Sequence, residues 1–281
     1  MPHFHQVTRR ITQLQIPYKD IFTSVYLVRT DRGCLLFDTG SCDGDVYEYI
    51  LPFLESHSLG EKELMYVFLS HKHVDHAGGL HALMQKHPEI TIISRSKKLA
   101  DEFSEYRVDC PTDGELLLEG LQVVTLPGHT KDSCGLLDLS DRTLISGDSL
   151  QLYGIYGSGK WGANITLPTA HFQALDKLEQ LEIARILTSH IYHPMPCVCE
   201  GSEMVLQALD ACREPLVRIA ELIRCNPSCS DGEIADLYNA SGLPTLHERV
   251  VKAMRNERMA ASGENLHFGE GCDPKPHSVS E

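Results

Sequence analysis

Three histidines and an aspartate lie within the six-residue run His71-Lys72-His73-Val74-Asp75-His76. The run follows a short apolar stretch and precedes the pair Gly78-Gly79. Neutral imidazoles and carboxylates are the ligands that hold zinc, manganese or iron in sites built from nitrogen and oxygen atoms. A loop at the end of a strand lets alternate side chains converge on one point. The spacing therefore predicts a metal site, and the alternative is a surface histidine cluster.

Three more candidate ligands follow apolar runs further along the chain. His129 follows residues 121–126, Asp148 follows residues 143–146, and His190 follows residues 184–188. Taken singly, each has an ordinary interpretation as a loop histidine or a turn aspartate. Because one rim of a sheet collects the groups that follow its strands, their joint occurrence favours a shared site. His193 is an alternative to His190, which is preferred because it comes directly after the strand and Ser189.

Short β-rich runs alternate with amphipathic stretches over the first 205 residues, and these elements must position the candidate ligands. The predicted strands are residues 24–28, 34–37, 64–69, 90–94, 121–126, 135–139, 143–146 and 184–188, and the predicted helices are residues 47–59, 75–87 and 169–181. Asp75 is expected to cap the second helix.

Two predicted hairpins, each with an Asp-Arg turn, suggest that the β-rich part of the chain consists of two similar halves. In each, an aspartate stands seven residues after the turn aspartate: Asp38 after Asp31 and Asp148 after Asp141. This pattern predicts that Asp38 and Asp148 occupy corresponding strand ends, and chance similarity of two hairpins is the alternative.

After residue 200 the pattern becomes helical, with predicted helices over residues 202–225, interrupted at Pro215, and over 245–259. A capping box at Ser230 and Glu233 predicts a helix through Tyr238. We therefore expect a catalytic domain over residues 1–205, a helical extension over 206–260 and a disordered tail over 261–281. The extension could supply substrate contacts, form a homodimer surface or be a reduced winged-helix-like appendage.

A stretch rich in glycine and aromatic residues begins five residues after Asp148 and contains the only tryptophan. We predict that it contacts the substrate through Tyr153, Tyr156, Lys160 and Trp161. The alternative is a structural crossover whose aromatic side chains fill the core.

Composition narrows the function classes. With 39 acidic and 25 basic residues, the net charge of −14 argues against a nucleic-acid partner. Apolar runs are too short to cross a membrane, and no signal peptide is recognisable, so no membrane partner and a cytoplasmic location are expected. Ten irregularly spaced cysteines favour reduced thiols over disulfides or a second metal site.

These motifs together resemble the metallo-β-lactamase superfamily. The matching segments are Phe37-Asp38-Thr39-Gly40, His71 to His76, Gly128-His129-Thr130, Gly147-Asp148 and Ser189-His190. The resemblance implies an α/β fold, the αββα sandwich, with a C-terminal helical extension in this chain. It also implies one metal held by His71, His73 and His129, and a second held by Asp75, His76 and His190. Asp148 would bridge the two, and Asp38 would lie behind the ligands and orient them.

The resemblance further implies a dinuclear hydrolase that cleaves a carbonyl ester, thioester or lactone of a small molecule by metal-bound hydroxide. The cofactors expected are two divalent ions, with zinc favoured and iron or manganese as alternatives, and Asp75 is the candidate for catalytic proton transfer. The second ligand set has no cysteine, which resembles the glyoxalase II and lactonase branch. Other hypotheses are an iron persulfide dioxygenase-like oxidoreductase with one metal, a phosphodiesterase or nuclease, and a non-catalytic metal-binding regulator.

Overall fold

Two β-sheets form the centre of the computed structural model, which describes residues 3–57, 64–155 and 161–261. The first sheet has the order β1 to β7: β1 (His3–Gln6), β2 (Ile11–Tyr18), β3 (Ile21–Thr30), β4 (Gly33–Phe37), β5 (Leu64–Leu69), β6 (Thr91–Ser94) and β7 (Val108–Asp109). The second sheet has the order β13-β12-β11-β10-β9-β8: β8 (Leu116–Leu117), β9 (Leu121–Thr125), β10 (Cys134–Asp138), β11 (Thr143–Gly147), β12 (Arg185–Thr188) and β13 (Val198–Glu200).

Apolar side chains from both sheets meet in a buried layer, which includes Phe37 and Phe68 with stacked rings 5.2 Å apart. Helices cover the outer face of the first sheet: α1 (Asp43–Asp45), a π-helical turn (Val46–Ile50), α2 (Leu51–Ser56), α3 (Val74–Ala77), α4 (Leu80–Lys86) and α5 (Lys97–Glu102). The outer face of the second sheet packs against α6 (Pro168–Glu179) and α7 (Ser202–Cys225). The predicted αββα layering is therefore confirmed.

The two halves of the sandwich share a local topology. Hairpin β3–β4 is followed by the parallel partner β5, and hairpin β10–β11 is followed by the parallel partner β12. Asp38 comes directly after β4, and Asp148 comes directly after β11. The expectation that these aspartates lie at corresponding strand ends is therefore confirmed.

The helix predicted at residues 75–87 is divided in two, and the predicted capping role of Asp75 is wrong. His73 is the N-cap residue of α3, with no side-chain cap, and Asp75 lies inside the first turn. The division falls at Gly78 and Gly79, where a Cβ atom would lie 2.1 Å from the carbonyl oxygen of Ser41 and 2.2 Å from that of Thr39, respectively. The two glycines permit this close approach, and hydrogen bonds from the N–H of Gly78 to the carbonyl oxygen of Gly40 at 3.0 Å and from the N–H of Thr39 to that of His76 at 2.7 Å hold the His71–His76 segment against the loop that follows Asp38.

The sequence patterns missed β1, β2, β7, β8, β13 and α5. Strand β2 matters most for the site, because the turn that follows it contributes to the pocket described below. Five of its first six residues are buried, so the alternation of a half-buried strand is absent.

The C-terminal helices α7, α8 (Asp231–Asn239) and α9 (Glu248–Ala261) enclose an apolar cluster of their own, which also includes Ile165. The capping box of Ser230 and Glu233 is confirmed. The predicted interruption at Pro215 is wrong, because α7 continues through this buried proline. No strand follows Glu200 within the described part of the chain. The β-wing that a winged-helix appendage requires is therefore missing from these residues.

The tail assigned to residues 261–281 lies, except for Ala261, outside the described residues. Among the residues that the structure describes, no helix has the length and apolarity needed to cross a membrane.

Candidate metal centre

Four separate segments bring their polar side chains to one rim of the sandwich. The run from His71 to His76 follows β5, His129 follows β9, Asp148 follows β11, and His190 follows β12. Within the described residues, these side chains form two groups able to hold a metal: His71, His73 and His129 in one, and Asp75, His76, Asp148 and His190 in the other. The structure thus gathers all seven predicted ligands.

The first group, called cluster A, consists of three imidazoles. Nδ1 of His73 lies 3.0 Å from Nε2 of His71 and 2.9 Å from Nε2 of His129. Ligand atoms of a tetrahedral zinc ion with bonds of ~2.0–2.1 Å lie about 3.3 Å apart, which is close to this spacing. Three ring nitrogens therefore converge on one point with the spacing that the ligands of a single cation have.

The second group, called cluster B, combines imidazoles with carboxylates. Nε2 of His190 lies 3.4 Å from Oδ2 of Asp75 and 3.4 Å from Oδ1 of Asp148. Nε2 of His76 lies 3.5 Å from Oδ2 of Asp75 and 3.4 Å from Oδ1 of Asp148. These four side chains therefore surround one point.

Asp148 spans the two clusters. Its Oδ1 belongs to cluster B, whereas its Oδ2 faces cluster A at 3.9 Å from Nε2 of His129. One carboxylate with an oxygen in each cluster matches the bridging position that the resemblance implies.

Hydrogen bonds behind the ligands fix the ring nitrogens that face the clusters. Nδ1 of His129 donates to the carbonyl oxygen of Asn164 at 2.7 Å, and Nδ1 of His190 donates to that of Phe22 at 2.6 Å. Nδ1 of His71 lies 3.0 Å from Oγ of Ser70. With Nδ1 engaged in this way, Nε2 of each ring keeps its lone pair for a metal.

Asp38 has the orienting place that the resemblance implies. Its carboxylate is buried and accepts a 2.7 Å hydrogen bond from Nδ1 of His76. The backbone N–H and the hydroxyl of Ser70 donate to the same carboxylate at 2.8 and 2.9 Å. Asp38 therefore positions His76 directly and His71 through Ser70.

The two clusters differ in protonation. Burial lowers the pKa of His129 to about 4 and lowers the pKa of His71 well below its usual range. In cluster B burial also disfavours charge, but the Asp148 carboxylate outweighs it and raises the pKa of His190 to about 9. Cluster A therefore presents neutral imidazoles, whereas cluster B balances its carboxylates with protons that a metal would displace.

Two buried atoms at the centre lack a hydrogen-bond partner. They are Nε2 of His76 and Oδ1 of Asp148, and both face cluster B. Buried polar atoms are rarely left unsatisfied, so an unpartnered nitrogen and oxygen facing one point fit a metal ligand set. The residues present therefore fit two metal ions, one in each cluster.

A cavity of about 380 Å³ opens above the clusters, and His73, Asp75, His129, Asp148 and His190 form its floor. Its apolar wall includes Ile21, Val74, Ile155, Trp161 and Val250. Val74 and Trp161 are 58% and 41% exposed, although both are large apolar residues. Partly exposed apolar surface beside a polar floor is typical of a small-molecule pocket.

The structure separates the members of the predicted substrate loop. Trp161 lines the pocket. Tyr153 does not, because its hydroxyl donates to Glu214 of α7 and its ring packs beside that of His193. The predicted substrate contact of Tyr153 stays a prediction, which these contacts do not support. Tyr156 and Lys160 lie outside the described residues.

His190 and His193 are distinguished by position. His190 lies in cluster B, whereas His193 packs against Tyr153 away from both clusters. The cysteine pairs also lie outside the site, since no candidate ligand group of the described residues contains a cysteine.

Sequence patterns missed several pocket residues. Lys19 belongs to the turn between β2 and β3, and Thr245, His247 and Arg249 come from the loop before α9 and its first turn. Of the three interpretations of the C-terminal helices, the pocket lining supports substrate contact. Their sequence carried no signal for this role, because only tertiary packing brings them to the rim.

An αββα sandwich with one histidine cluster and one cluster of histidines and aspartates at one rim defines a protein of the metallo-hydrolase class. The chain belongs to the metallo-β-lactamase superfamily: the family profile described as "Metallo-beta-lactamase superfamily" matches residues 18–190. This interval contains all seven candidate ligands.

Individual relatives are more distant. The uncharacterized protein YobT of Bacillus subtilis is 30% identical over 208 residues, which cover 63% of this chain and 85% of YobT. A hydroxyacylglutathione hydrolase of Vibrio cholerae is 29% identical over 170 residues, which cover 60% of this chain and 61% of that protein. A metallo-beta-lactamase from Pontibacter korlensis has a similar fold, with a TM-score of 0.57 and 19% identity over 76% of this chain and 99% of that structure.

Proposed function

We propose that the protein is a dinuclear metal-dependent hydrolase that cleaves a carbonyl ester, thioester or lactone of a small molecule. The carboxylate of Asp148 carries this proposal, because it places one oxygen in each cluster beneath an open pocket. Two divalent ions, with zinc favoured, would supply a water activated at neutral pH and would polarise a substrate carbonyl.

The chain's own residues then have definite tasks. The apolar wall that includes Val74 and Trp161 receives the acyl group and excludes water from it. Asp75 lines the pocket with a carboxylate 3.4 Å from Nε2 of His190, so it is placed to accept and return a proton at the reacting centre. Asp38 and Ser70 keep the histidine rings in position throughout.

Two observations favour a small carbonyl substrate. The net charge of −14 disfavours a nucleic acid, and a half-apolar pocket suits an acyl group better than a bare phosphodiester. The name of the Vibrio cholerae relative denotes hydrolysis of an acylated glutathione, which supports a thioester among the candidates.

The test is elemental analysis of protein purified without added metal, combined with a panel of one thioester, one lactone and one phosphodiester. The proposal predicts about two divalent ions per chain and turnover of the thioester or the lactone. One iron per chain with oxygen consumption on a persulfide would overturn it in favour of a dioxygenase. Preferential cleavage of the phosphodiester would overturn it in favour of a phosphodiesterase.

A further inference from the structure

Two cationic side chains from distant parts of the chain line the pocket beside the metal centre. Lys19 lies in the turn between β2 and β3, and Arg249 lies in the first turn of α9. Among the described residues neither side chain pairs with a carboxylate, whereas Arg10, Arg185 and Arg213 all do.

The position of Lys19 is fixed by aromatic rings. Its Nζ lies 4.9 Å from the centroid of the Tyr18 ring and 5.0 Å from that of Trp161. These distances are within the range of cation–π attraction, which holds an ammonium group without neutralising it. The charge therefore stays available to a ligand at the mouth of the pocket.

The backbone that carries the exposed Arg249 is anchored, because the α8–α9 loop docks onto the segment containing Trp161. The N–H of Gly162 donates to the carbonyl oxygen of Thr245 at 2.9 Å, and a Cβ atom at Gly162 would lie only 2.5 Å from that oxygen. Val250, next to Arg249, is fully buried. Arg249 and Val250, in the first turn of α9, consequently line the pocket.

When metals are bound, the carboxylates of the described pocket residues are no longer available to balance the charges of Lys19 and Arg249. The carboxylates among them are Asp75 and Asp148, and both belong to the metal clusters. Lys19 and Arg249 therefore provide positive charge that neither the protein nor the proposed metal ligands use.

We propose that Lys19 and Arg249 form an anion-recognition subsite, so that the substrate is an acyl derivative carrying a carboxylate or phosphate group beside the scissile carbonyl. This inference rests on the proposed hydrolase function and narrows its substrate class. The subsite offsets the repulsion that an acidic protein exerts on an anionic substrate.

The test compares thioesters that share an acetyl group and differ in the charge of the thiol part. The probes are S-acetyl-3-mercaptopropionate, its neutral amide, the S-acetyl derivative of 2-mercaptoethyl phosphate, and the cationic acetylthiocholine. Charged hydrogen bonds of ~1.5–3 kcal/mol correspond to about a 10-fold or larger preference in kcat/KM for an anionic probe over the amide. The carboxylate and phosphate probes show which anion is preferred.

Lys19→Met and Arg249→Gln should each reduce this preference toward one, and Arg249→Glu should favour acetylthiocholine. Lys252→Gln is the matched control, because Lys252 lies on the same helix, is exposed and does not line the pocket. The ratio of kcat/KM for the anionic probe to that for the amide is measured within each variant, so partial loss of folding or metal cancels.

Equal turnover of all probes by the native protein, or an unchanged ratio in the Lys19 and Arg249 variants, would overturn the subsite but not the hydrolase. Absence of hydrolysis of every thioester and lactone tested would count against the proposed function itself.

Discussion

At the scale of single residues, the metal centre depends on a few atoms whose surroundings set their chemistry. Asp148 divides its two oxygens between the clusters, and the histidines opposite it are held from behind by backbone carbonyls or by Asp38. Ligands fixed in this way lose little entropy when a metal binds.

Asp148→Ala should therefore impair both clusters at once. We expect metal content to fall to about one ion per chain or fewer, and kcat to fall by about 10²-fold or more, because both metal positions share this carboxylate. Elemental analysis and steady-state kinetics on the same preparation measure both effects. Full activity with two bound ions would exclude Asp148 from the site.

The choice between His190 and His193 gives a paired experiment. His190→Ala should weaken the ion in cluster B and leave cluster A occupied, because His190 contributes to cluster B alone. His193→Ala is the natural control, since its ring packs on Tyr153 instead. Metal titrations that show the larger loss in the His193 variant would contradict the assignment.

At the scale of elements, the pocket walls come from turns and loops that lie outside the two sheets and their covering helices. The β2–β3 turn supplies Lys19, the segment after residue 160 supplies Trp161, and the α8–α9 loop supplies Thr245 and His247. Loops carried by a rigid scaffold are common places for substrate specificity.

Trp161→Ala should retain both metals and the fold but raise KM. The ring is 41% exposed, so covering it with substrate is worth about 2 kcal/mol, or roughly 30-fold in kcat/KM. Tyr47→Ala is a suitable control, because Tyr47 is 45% exposed and lies outside the pocket. Emission from Trp161, the only tryptophan, should change when a product binds. Unchanged emission, together with a much lower Tm for the variant, would indicate a structural role instead.

Gly162→Ala should displace the α8–α9 loop. The new Cβ atom would lie 2.5 Å from the carbonyl oxygen of Thr245, so the loop must move, and kcat/KM should fall while metal content stays constant. Gly232→Ala is the control, because a Cβ atom there has its nearest neighbour at 3.4 Å. Equal activity in both variants would show that loop docking does not shape the pocket.

At the scale of the whole molecule, metal binding and folding should be linked. The seven ligands come from four segments between residues 71 and 190, and only the folded chain brings them together. An ion that binds only the folded state at 100 times its Kd stabilises the protein by about 2.7 kcal/mol.

Removal of metal with a chelator should therefore lower the Tm by about 5 °C or more for a chain of this size. Differential scanning calorimetry before and after chelation, with zinc restored in a third sample, measures this shift. Asp148→Ala should show a smaller shift because it starts with less metal. An unchanged Tm on removal of measured, stoichiometric metal would contradict the linkage.

The sequence by itself identified the candidate ligands, and its resemblance to the metallo-β-lactamase superfamily implied the layers. Histidines and aspartates directly after apolar runs identified the candidate cluster residues, and they meet because β9, β11 and β12 run in the same direction and end at one rim. Strands such as Leu64–Leu69 were predicted to the residue, since a short continuous apolar run is a local signal. The repeat of Asp38 and Asp148 likewise followed from spacing within hairpins.

Only the tertiary structure decided what surrounds the metal centre. The division of α3 from α4, the engagement of Tyr153 by Glu214 and the presence of Lys19 and Arg249 in one pocket all depend on contacts between segments distant in sequence. Exposed cations and loop residues carry no periodic signal, because nothing local constrains them. Their role arises from packing of the C-terminal helices against the rim, and physical contact of that kind is not encoded in any single stretch of the chain.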